Sequence, residues 1–132
     1  MQYLVGIDIS TTAVKAILID SRGGVVGSAS TPLALSTPRP GGSEQDPRDW
    51  WEATVASIRA LLDRSGFSSK SIVSLGLTGQ MHGAIFLDAR GEVIRPAILW
   101  NDARSATQCA EITDLIGEDR LREITGNPAL VG

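Results

Sequence analysis

Three short apolar runs open the chain, and turn residues separate them. The runs span residues 3–9, 13–19 and 25–31, and each is rich in the β-branched and aliphatic residues that favour strands. Hydroxyl residues lie between the first two runs, and residues 20–24, which end in two glycines, lie between the second and third. Paired glycines adopt a positive φ at little cost, so this segment predicts a tight turn. The pattern therefore predicts three consecutive antiparallel strands.

A helix is predicted after a loop rich in proline and glycine at residues 37–43. Asp46 can act as the N-cap, and Pro47 suits the first helical position, where a backbone N–H would have no partner. Apolar residues then recur with helical spacing to about Arg64, and Gly66 provides an end. One apolar stripe of this helix is formed by Trp51, Val55, Ile58 and Leu62.

Shorter elements are predicted in the rest of the chain. Residues 72–78 form a short apolar run that predicts a buried strand, and residues 84–87 and 92–94 flank a turn, which predicts a hairpin. Two helices follow, one ending at Gly117 and one over residues 118–125. The apolar face of the first is formed by Ala106, Cys109, Ile112 and Ile116. This order of elements predicts an α/β fold, with a mixed sheet and helices packed on it.

The composition is that of an ordinary globular protein and argues against several classes of partner. A hydrophobic content of 42% is sufficient for a core, and a net charge of −3 with scattered basic residues gives no attraction for nucleic acid. Cys109 has no second cysteine with which to form a disulfide. No apolar run approaches the roughly 20 residues that cross a membrane. We therefore expect a cytoplasmic protein with no nucleic-acid or membrane partner.

The turn after the first run combines a carboxylate, hydroxyls and a lysine within residues 6–15. Hydroxyls such as those of Thr11 and Thr12 suit phosphate oxygens, whereas Asp8 repels them unless a divalent cation lies between. Proteins bind Mg²⁺ through one or two carboxylates together with phosphates and water. The segment is a candidate phosphate and Mg²⁺ site. Ser and Thr are also common hairpin residues, so a purely structural turn stays open.

Polar clusters also follow two later apolar runs. Gln80, Met81 and His82 would emerge at the carboxyl end of the predicted strand 72–78, where open α/β sheets bind ligands. Their amide and imidazole groups suit a polyhydroxylated ligand. The alternative is a sharp corner made by the flanking glycines, with a histidine that has only a structural role.

The second cluster is Trp100, Asn101 and Asp102, followed by Arg104. The indole offers a flat apolar face, the two polar side chains could bind hydroxyl groups, and Arg104 could orient Asp102 or meet a charge. In the alternative interpretation Asn101 or Asp102 caps the next helix and Trp100 is buried. The residues alone leave both interpretations open.

Together, four segments of the chain resemble the N-terminal part of the FGGY family of carbohydrate kinases, and within it the xylulose kinases. The segments are residues 6–15, 43–47 with the tryptophans at 50 and 51, 79–83, and 96–104. The resemblance implies an actin-like (ribonuclease-H-like) fold and transfer of the ATP γ-phosphoryl group to a ketopentose, D-xylulose giving xylulose 5-phosphate, with Mg²⁺. It also implies that residues 1–132 are the N-terminal part of the first of two domains, and that the rest of that domain and the whole second domain lie beyond residue 132.

The resemblance assigns the residues of the first turn to ATP. Asp8 resembles the carboxylate that lies near the metal ion and the γ-phosphate. Thr11, Thr12 and Lys15 resemble the first phosphate-binding loop. The family usually has glycine where this chain has Ser10, a change that affects how closely the backbone can approach phosphate.

The resemblance assigns the later clusters to the sugar. Gln80 precedes Met81 and His82, which stand where glycerol kinases carry an arginine and a glutamate, so this pair favours a ketopentose over glycerol. Further wall of the sugar pocket would come from Trp100, Asn101 and Asp102. The aspartate that takes the sugar proton lies beyond residue 132 in the family. We therefore expect the chain alone to be inactive.

Three other functions stay open at this point. The parent protein could phosphorylate another sugar or polyol, or the chain could be a non-enzymatic module that binds a sugar or a partner protein. A metal-dependent nuclease of the same fold type would need several converging carboxylates and basic surface, which the sequence lacks. The apolar C-terminal end predicts a chain cut from something longer. We expect such a chain to expose uncovered surface and to associate with copies of itself.

Overall fold

The computed structural model describes residues 2–132, which form two compact units. The first unit comprises the residues up to Leu35 together with Asp46–Met81, and the second comprises Ser36–Gln45 together with His82–Gly132. The strands are β1 Tyr3–Ile9, β2 Ala13–Asp20, β3 Val25–Pro32, β4 Glu44–Gln45, β5 Ile72–Gly79 and β6 Ala97–Ile98. The helices are α1 Pro47–Ser65, α2 Ala106–Ile116 and α3 Glu118–Thr125, with a short 3₁₀ turn at Ser69–Ser71.

The first unit is a four-stranded mixed sheet in the order β3-β2-β1-β5. β2 is antiparallel to both of its neighbours, β1 and β3, as predicted, and β5 lies parallel to β1. Alternate side chains of β1 point to the face that α1 covers, and Tyr3, Val5 and Ile7 are buried there. The other buried members of this core are Val14, Ala16, Leu18, Ala29, Ala53 and Leu61.

The bounds of α1 agree closely with the prediction. The Asp46 side chain accepts a hydrogen bond from the Arg48 N–H at 2.9 Å, Pro47 occupies the first turn, and Gly66 ends the helix in the left-handed conformation with φ of 68°. These are the capping roles that their residue types favour.

The predicted apolar stripe of α1 is only partly buried: Val55, Ile58 and Leu62 are half-buried, and Ile58 packs against the core. Trp51 is 71% exposed, and the buried positions of the helix are Ala53, Thr54, Ser57 and Leu61. α1 packs on β2 and β3, and Gly27 of β3 makes room for Leu61 of the helix: a Cβ atom on Gly27 would lie only 3.3 Å from Cδ1 of Leu61. The buried face of the helix therefore combines three small residues with one leucine, and Trp51 lies outside it.

Two predictions about later strands also need correction. β5 was expected to be buried, but Leu75 and Leu77 are 54% and 66% exposed. β5 is the outermost strand of the sheet within residues 2–132, and α1 packs on β2 and β3 at the opposite side. The predicted hairpin at 84–94 forms a turn closed by the Leu87↔Val93 bridge, but its two arms are not regular strands.

In the second unit, β4 and β6 form a short antiparallel pair in which Glu44 lies opposite Ile98. Single bridges join Ser36 to Glu44 and Ala84 to Ile98 on either side of this pair. α2 and α3 have the predicted bounds and contact each other. Within residues 2–132 no helix is long and apolar enough to cross a membrane.

Candidate functional site

Asp8 lies near the carboxyl end of β1, between two strands that place polar groups beside it. It is opposite Lys15 of β2 and opposite Thr78 of β5. All three line a cleft of about 430 Å³, to which Gly6 and Gly76 also contribute. Because glycine has no side chain, the floor of this cleft stays open next to the carboxylate.

The turn between β1 and β2 is closed by Ser10. Its backbone N–H and its hydroxyl both donate to the carbonyl oxygen of Ala13, at 3.1 and 2.9 Å. Among residues 2–132, His82 is the only non-glycine residue with a positive φ, so the backbone at Ser10 does not require glycine. The serine therefore closes this turn with its own side chain, and Thr12, two residues further on, is exposed.

The carboxyl ends of β1 and β5 bring Thr11 and Gln80 together. The Gln80 N–H donates to the carbonyl oxygen of Ile9 at 2.8 Å, which extends the pairing of the two strands by one residue. The Thr11 hydroxyl donates to Oε1 of Gln80 at 3.4 Å. Met81, the next residue, is largely exposed. The candidate phosphate turn and the start of the candidate sugar motif therefore meet at one edge of the sheet.

The donor groups of the first unit suit a metal ion that is held mainly by its substrate. Within the described part of the chain, no three His, Cys, Asp or Glu side chains lie close enough together to form a metal site. Asp8 offers one carboxylate in an open cleft, with hydroxyls in the adjacent turn. This arrangement fits Mg²⁺, which keeps several waters and takes its remaining ligands from phosphates.

His82 is exposed and has a left-handed backbone, with φ of 60°. Two residues later, Ala84 exchanges backbone hydrogen bonds with Ile98, at 2.8 and 3.0 Å. The pairing is antiparallel, so the residues before Ala84 and the residues after Ile98 lie at the same end of it. His82 precedes Ala84 by two residues, and Trp100 follows Ile98 by two. The second unit therefore places the two sugar-binding candidates at the same end of one backbone pairing.

Trp100 and Asn101 occupy the corner of a tight turn. The Asp102 N–H donates to the carbonyl oxygen of Leu99 at 3.0 Å, and both of these end residues are buried. Trp100 is 49% exposed, and Asn101 is also exposed. The interpretation in which Trp100 is buried is therefore wrong, and so is the one in which Asn101 or Asp102 caps the next helix, because Ser105 occupies the N-cap position of α2.

Asp102 is only 2% exposed and accepts four hydrogen bonds. Oδ2 accepts from the Ser43 N–H and from Nη2 of Arg104, each at 2.7 Å. Oδ1 accepts from the backbone N–H and from Nε of Arg104, at 2.9 and 2.7 Å. The two oxygens of a carboxylate offer about four acceptor sites, so those of Asp102 are filled by the protein itself.

The charges around Asp102 form a partly buried network with Arg104 at its centre. The Arg104 guanidinium hydrogen-bonds Asp102 and lowers the pKa of that carboxyl well below its usual range; backbone N–H groups add to the shift and burial opposes it. The pKa of Arg104 is raised in turn, first by Asp102 and then by Glu44. Glu44 accepts at Oε1 from Arg104 at 2.6 Å and also from Arg95. The network contains two carboxylates and two guanidinium groups.

Comparison with known proteins decides the family. The model of the N-terminal domain of the FGGY family of carbohydrate kinases matches residues 3–132. The chain belongs to this FGGY family. It is 44% identical over 128 residues to the xylulose kinase of Escherichia coli K12, with 97% of this chain and 26% of that protein aligned.

Two solved structures agree with this FGGY assignment. A xylulose kinase from Brucella ovis superposes with a TM-score of 0.88 at 44% identity, over 98% of this chain and 26% of that one. The xylulose kinase from Rhodospirillum rubrum gives the same TM-score at 32% identity, with the same coverage. The predicted actin-like α/β fold is thereby confirmed. The chain spans about a quarter of the length of the relatives it matches.

Two members of the ion-pair network belong to none of the polar clusters predicted from the sequence. The spacing of Asp102 and Arg104 suggested that the arginine orients the aspartate, and the structure bears this out. Glu44 and Arg95 were not predicted to take part. Glu44 lies 60 residues from Arg104, and no local pattern reveals such a contact.

Proposed function

We propose that this chain supplies the N-terminal part of an ATP-dependent kinase that phosphorylates a ketopentose, with D-xylulose as substrate and xylulose 5-phosphate as product. The observation that carries the proposal is the Ala84–Ile98 bridge, which brings His82 to the same end of the pairing as Trp100. Two motifs that resemble the sugar-reading segments of xylulose kinases are thus neighbours in space as well as in order. The relatives of known structure at this level of similarity include xylulose kinases.

Asp8 and the turn after it would hold the phosphates of ATP. The hydroxyls of Thr11 and Thr12 and the ammonium of Lys15 are donors suited to phosphate oxygens. The Asp8 carboxylate would hold Mg²⁺, directly or through water. The ion, when bound, neutralises charge on the phosphates during transfer. The residues of this chain would hold the ATP phosphates in the orientation that transfer to the sugar requires.

Gln80, Met81 and His82 would contact the sugar, together with Trp100 and Asn101. The amides and the imidazole can both donate to and accept from hydroxyl groups, while the thioether and the indole can pack against carbon atoms. Asp102 was also predicted to line the sugar pocket. Its filled acceptor sites and its burial favour a different role, in which it holds the turn that carries Trp100.

The remaining parts of the proposal concern what the chain lacks. We place residues 1–132 in the first of two domains, and we assign the proton-accepting aspartate and the adenosine pocket to sequence outside this chain. Phosphoryl transfer depends on positioning and on stabilising charge, so part of the cleft is not sufficient for turnover. The chain alone should therefore be inactive.

A chimera tests this function. Residues 1–132 replace the matching quarter of the E. coli xylulose kinase, and ADP release is followed with D-xylulose and with glycerol as alternative acceptors. We expect turnover that depends on D-xylulose, and a loss of about 100-fold or more in kcat for Asp8→Asn, because the variant removes the charge that holds the metal ion. A folded chimera that prefers glycerol, or that is unaffected by Asp8→Asn, contradicts the assignment.

Two controls complete this test. The 132-residue chain on its own should release no ADP above background, and release by the pure chain would overturn the statement that it is inactive. Asp63→Asn removes one negative charge, as Asp8→Asn does, but on the exposed face of α1 and away from the cleft. It should leave turnover unchanged.

A further inference from the structure

The turn that carries Trp100 and Asn101 is held at its base by one residue of a distant segment. Ser43 accepts a hydrogen bond from the Leu99 N–H at 3.0 Å through its carbonyl oxygen. Its own N–H donates to the Asp102 side chain at 2.7 Å. Both ends of the turn are thereby tied to the backbone of Ser43, and the two corner residues stay exposed.

Arg104 joins this base to the neighbouring strand. Its guanidinium holds Asp102 through Nε and Nη2, and the same Nη2 lies 2.6 Å from Oε1 of Glu44. Glu44 follows Ser43 directly and lies opposite Ile98. The guanidinium of Arg104 therefore links the Asp102 carboxylate, at the end of the turn, to strand β4.

This arrangement is better suited to fixing a geometry than to adding stability. Burying two carboxylates and their partners costs solvation energy that the ion pairs largely offset, so such networks contribute little net stability. Their directional hydrogen bonds do restrict the backbone to one arrangement. Here these hydrogen bonds hold the backbone of Ser43 and the side chain of Asp102. Between the two buried ends of the turn, the exposed side chains are those of Trp100 and Asn101.

We propose that Arg104 and Glu44 are positioning residues that act through Asp102 to hold the Leu99–Asp102 turn, so that Trp100 and Asn101 are preorganised for a sugar. The proposal rests on the proposed function for the identity of the ligand. It assigns direct contact to the two corner residues and a supporting role to the buried carboxylate. Preorganisation of this kind lowers the cost of ordering side chains when a ligand binds.

Arg104→Lys is the decisive variant, because lysine keeps the positive charge but not the two-pronged geometry. The matched control is Arg122→Lys, since Arg122 also holds a carboxylate, that of Glu118, through Nε and Nη2, but on the exposed surface of α3. Both variants are made in the full 132-residue chain. The Trp100 indole and the Asn101 amide are followed by ¹H–¹⁵N NMR, first without ligand and then with D-xylulose.

We expect Arg104→Lys to keep the spectrum of a folded protein while the Trp100 and Asn101 signals shift and broaden, and the Kd for D-xylulose to rise about tenfold. Arg122→Lys should leave both signals and the Kd unchanged. Unchanged Trp100 and Asn101 signals in folded Arg104→Lys would overturn the proposal. If that variant unfolds, Glu44→Gln, which keeps one carbonyl oxygen as acceptor, takes its place with the same two criteria.

The two parts of the experiment separate this proposal from the proposed function. The signals measured without ligand report on the turn alone, so they test the positioning role whatever the substrate is. The absence of a D-xylulose response in the unmodified chain counts against the proposed function and leaves the ligand-free comparison intact.

Discussion

Ala84 and Ile98 exchange two backbone hydrogen bonds, and this single antiparallel bridge sets the positions of two motifs that are 18 residues apart in the sequence. His82 precedes the bridge by two residues and Trp100 follows it by two. The backbone of His82 adopts a left-handed conformation on leaving the bridge. A side chain other than glycine at such a φ carries strain, which is often found where function requires a particular geometry.

The strain at His82 gives the first prediction. His82→Gly should be more stable to urea than His82→Ala by about 1 kcal/mol, because alanine keeps the unfavourable left-handed φ and glycine relieves it. Under the proposed function, both variants should weaken D-xylulose binding equally. Equal free energies of unfolding for the two variants would show that φ at this residue is not held as described.

The ion pairs of Asp102 give a second prediction, for the acid side of the stability curve. The lowered pKa keeps Asp102 ionised in the folded state at pH values where the unfolded chain, with an ordinary value of 3.8, is protonated. Its stabilising contribution is therefore complete above about pH 4 and falls as the pH drops below that, by up to about 1.4 kcal/mol per pH unit. Urea unfolding at pH 7, 5 and 3 measures this fall.

Asp102→Asn is the variant for the acid experiment. It removes this titrating group, so its stability should be lower at pH 7 and should decline less between pH 5 and pH 3 than that of the unmodified chain. Glu118→Gln, in an exposed pair on α3, is the control and should follow the unmodified chain. Parallel curves for Asp102→Asn and the unmodified chain contradict the role given to the carboxylate.

The N-cap of α1 gives a third prediction. Asp46→Ala should cost about 1 kcal/mol of unfolding free energy, because the Arg48 N–H loses its side-chain acceptor. Asp46→Asn keeps an acceptor oxygen and loses only the exposed ion pair with Arg48, so it should cost only about 0.3 kcal/mol of unfolding free energy. Chemical denaturation of the three proteins measures the difference. A loss as large for asparagine as for alanine would assign the effect to the ion pair.

The uncovered side of β5 gives a fourth prediction. Exposed strand edges with apolar side chains pair readily with other chains. Leu77→Lys should reduce the association that we expect of this chain, measured by light scattering at tens of micromolar. Leu115→Lys is the control, because Leu115 is more exposed still but lies on α2. A clean monomer in the unmodified chain would refute this prediction.

Local sequence signals predicted the elements well, because caps and turns depend on nearby residues. Asp46, Pro47 and Gly66 mark α1 correctly, and Gly117 and Gly126 mark the ends of α2 and α3. These residues act on the backbone next to them, so their effect can be read without tertiary information.

Burial was predicted less well, because it depends on what lies opposite. Trp51 has the helical spacing of a core residue, yet α1 packs through Ala53 and Ser57, whose small size permits close approach to the sheet. The hydroxyl of Ser57 hydrogen-bonds both the carbonyl oxygen of Val14 and the hydroxyl of Thr31, which makes a polar residue suitable at the most buried position of the helix. A hydropathy pattern gives no indication of this kind of interface.

The candidate site could be predicted as a set of motifs but not as an arrangement. The resemblance assigned Asp102 to the sugar pocket because it follows Trp100 and Asn101 in the chain. The structure places four donors around its carboxylate, two of them on the Arg104 side chain. Whether a polar residue faces a ligand or supports its neighbours is decided by such contacts, which the order of residues does not show.

The most direct test of the central claim is a ¹H–¹⁵N NMR titration of this chain with D-xylulose, with glycerol and the His82→Ala variant as controls. The account predicts saturable shifts that cluster at Gln80–His82 and at Trp100 and Asn101, that are absent with glycerol and that are lost in the variant. Shifts that are absent, that scatter over the surface, or that persist in His82→Ala would contradict it.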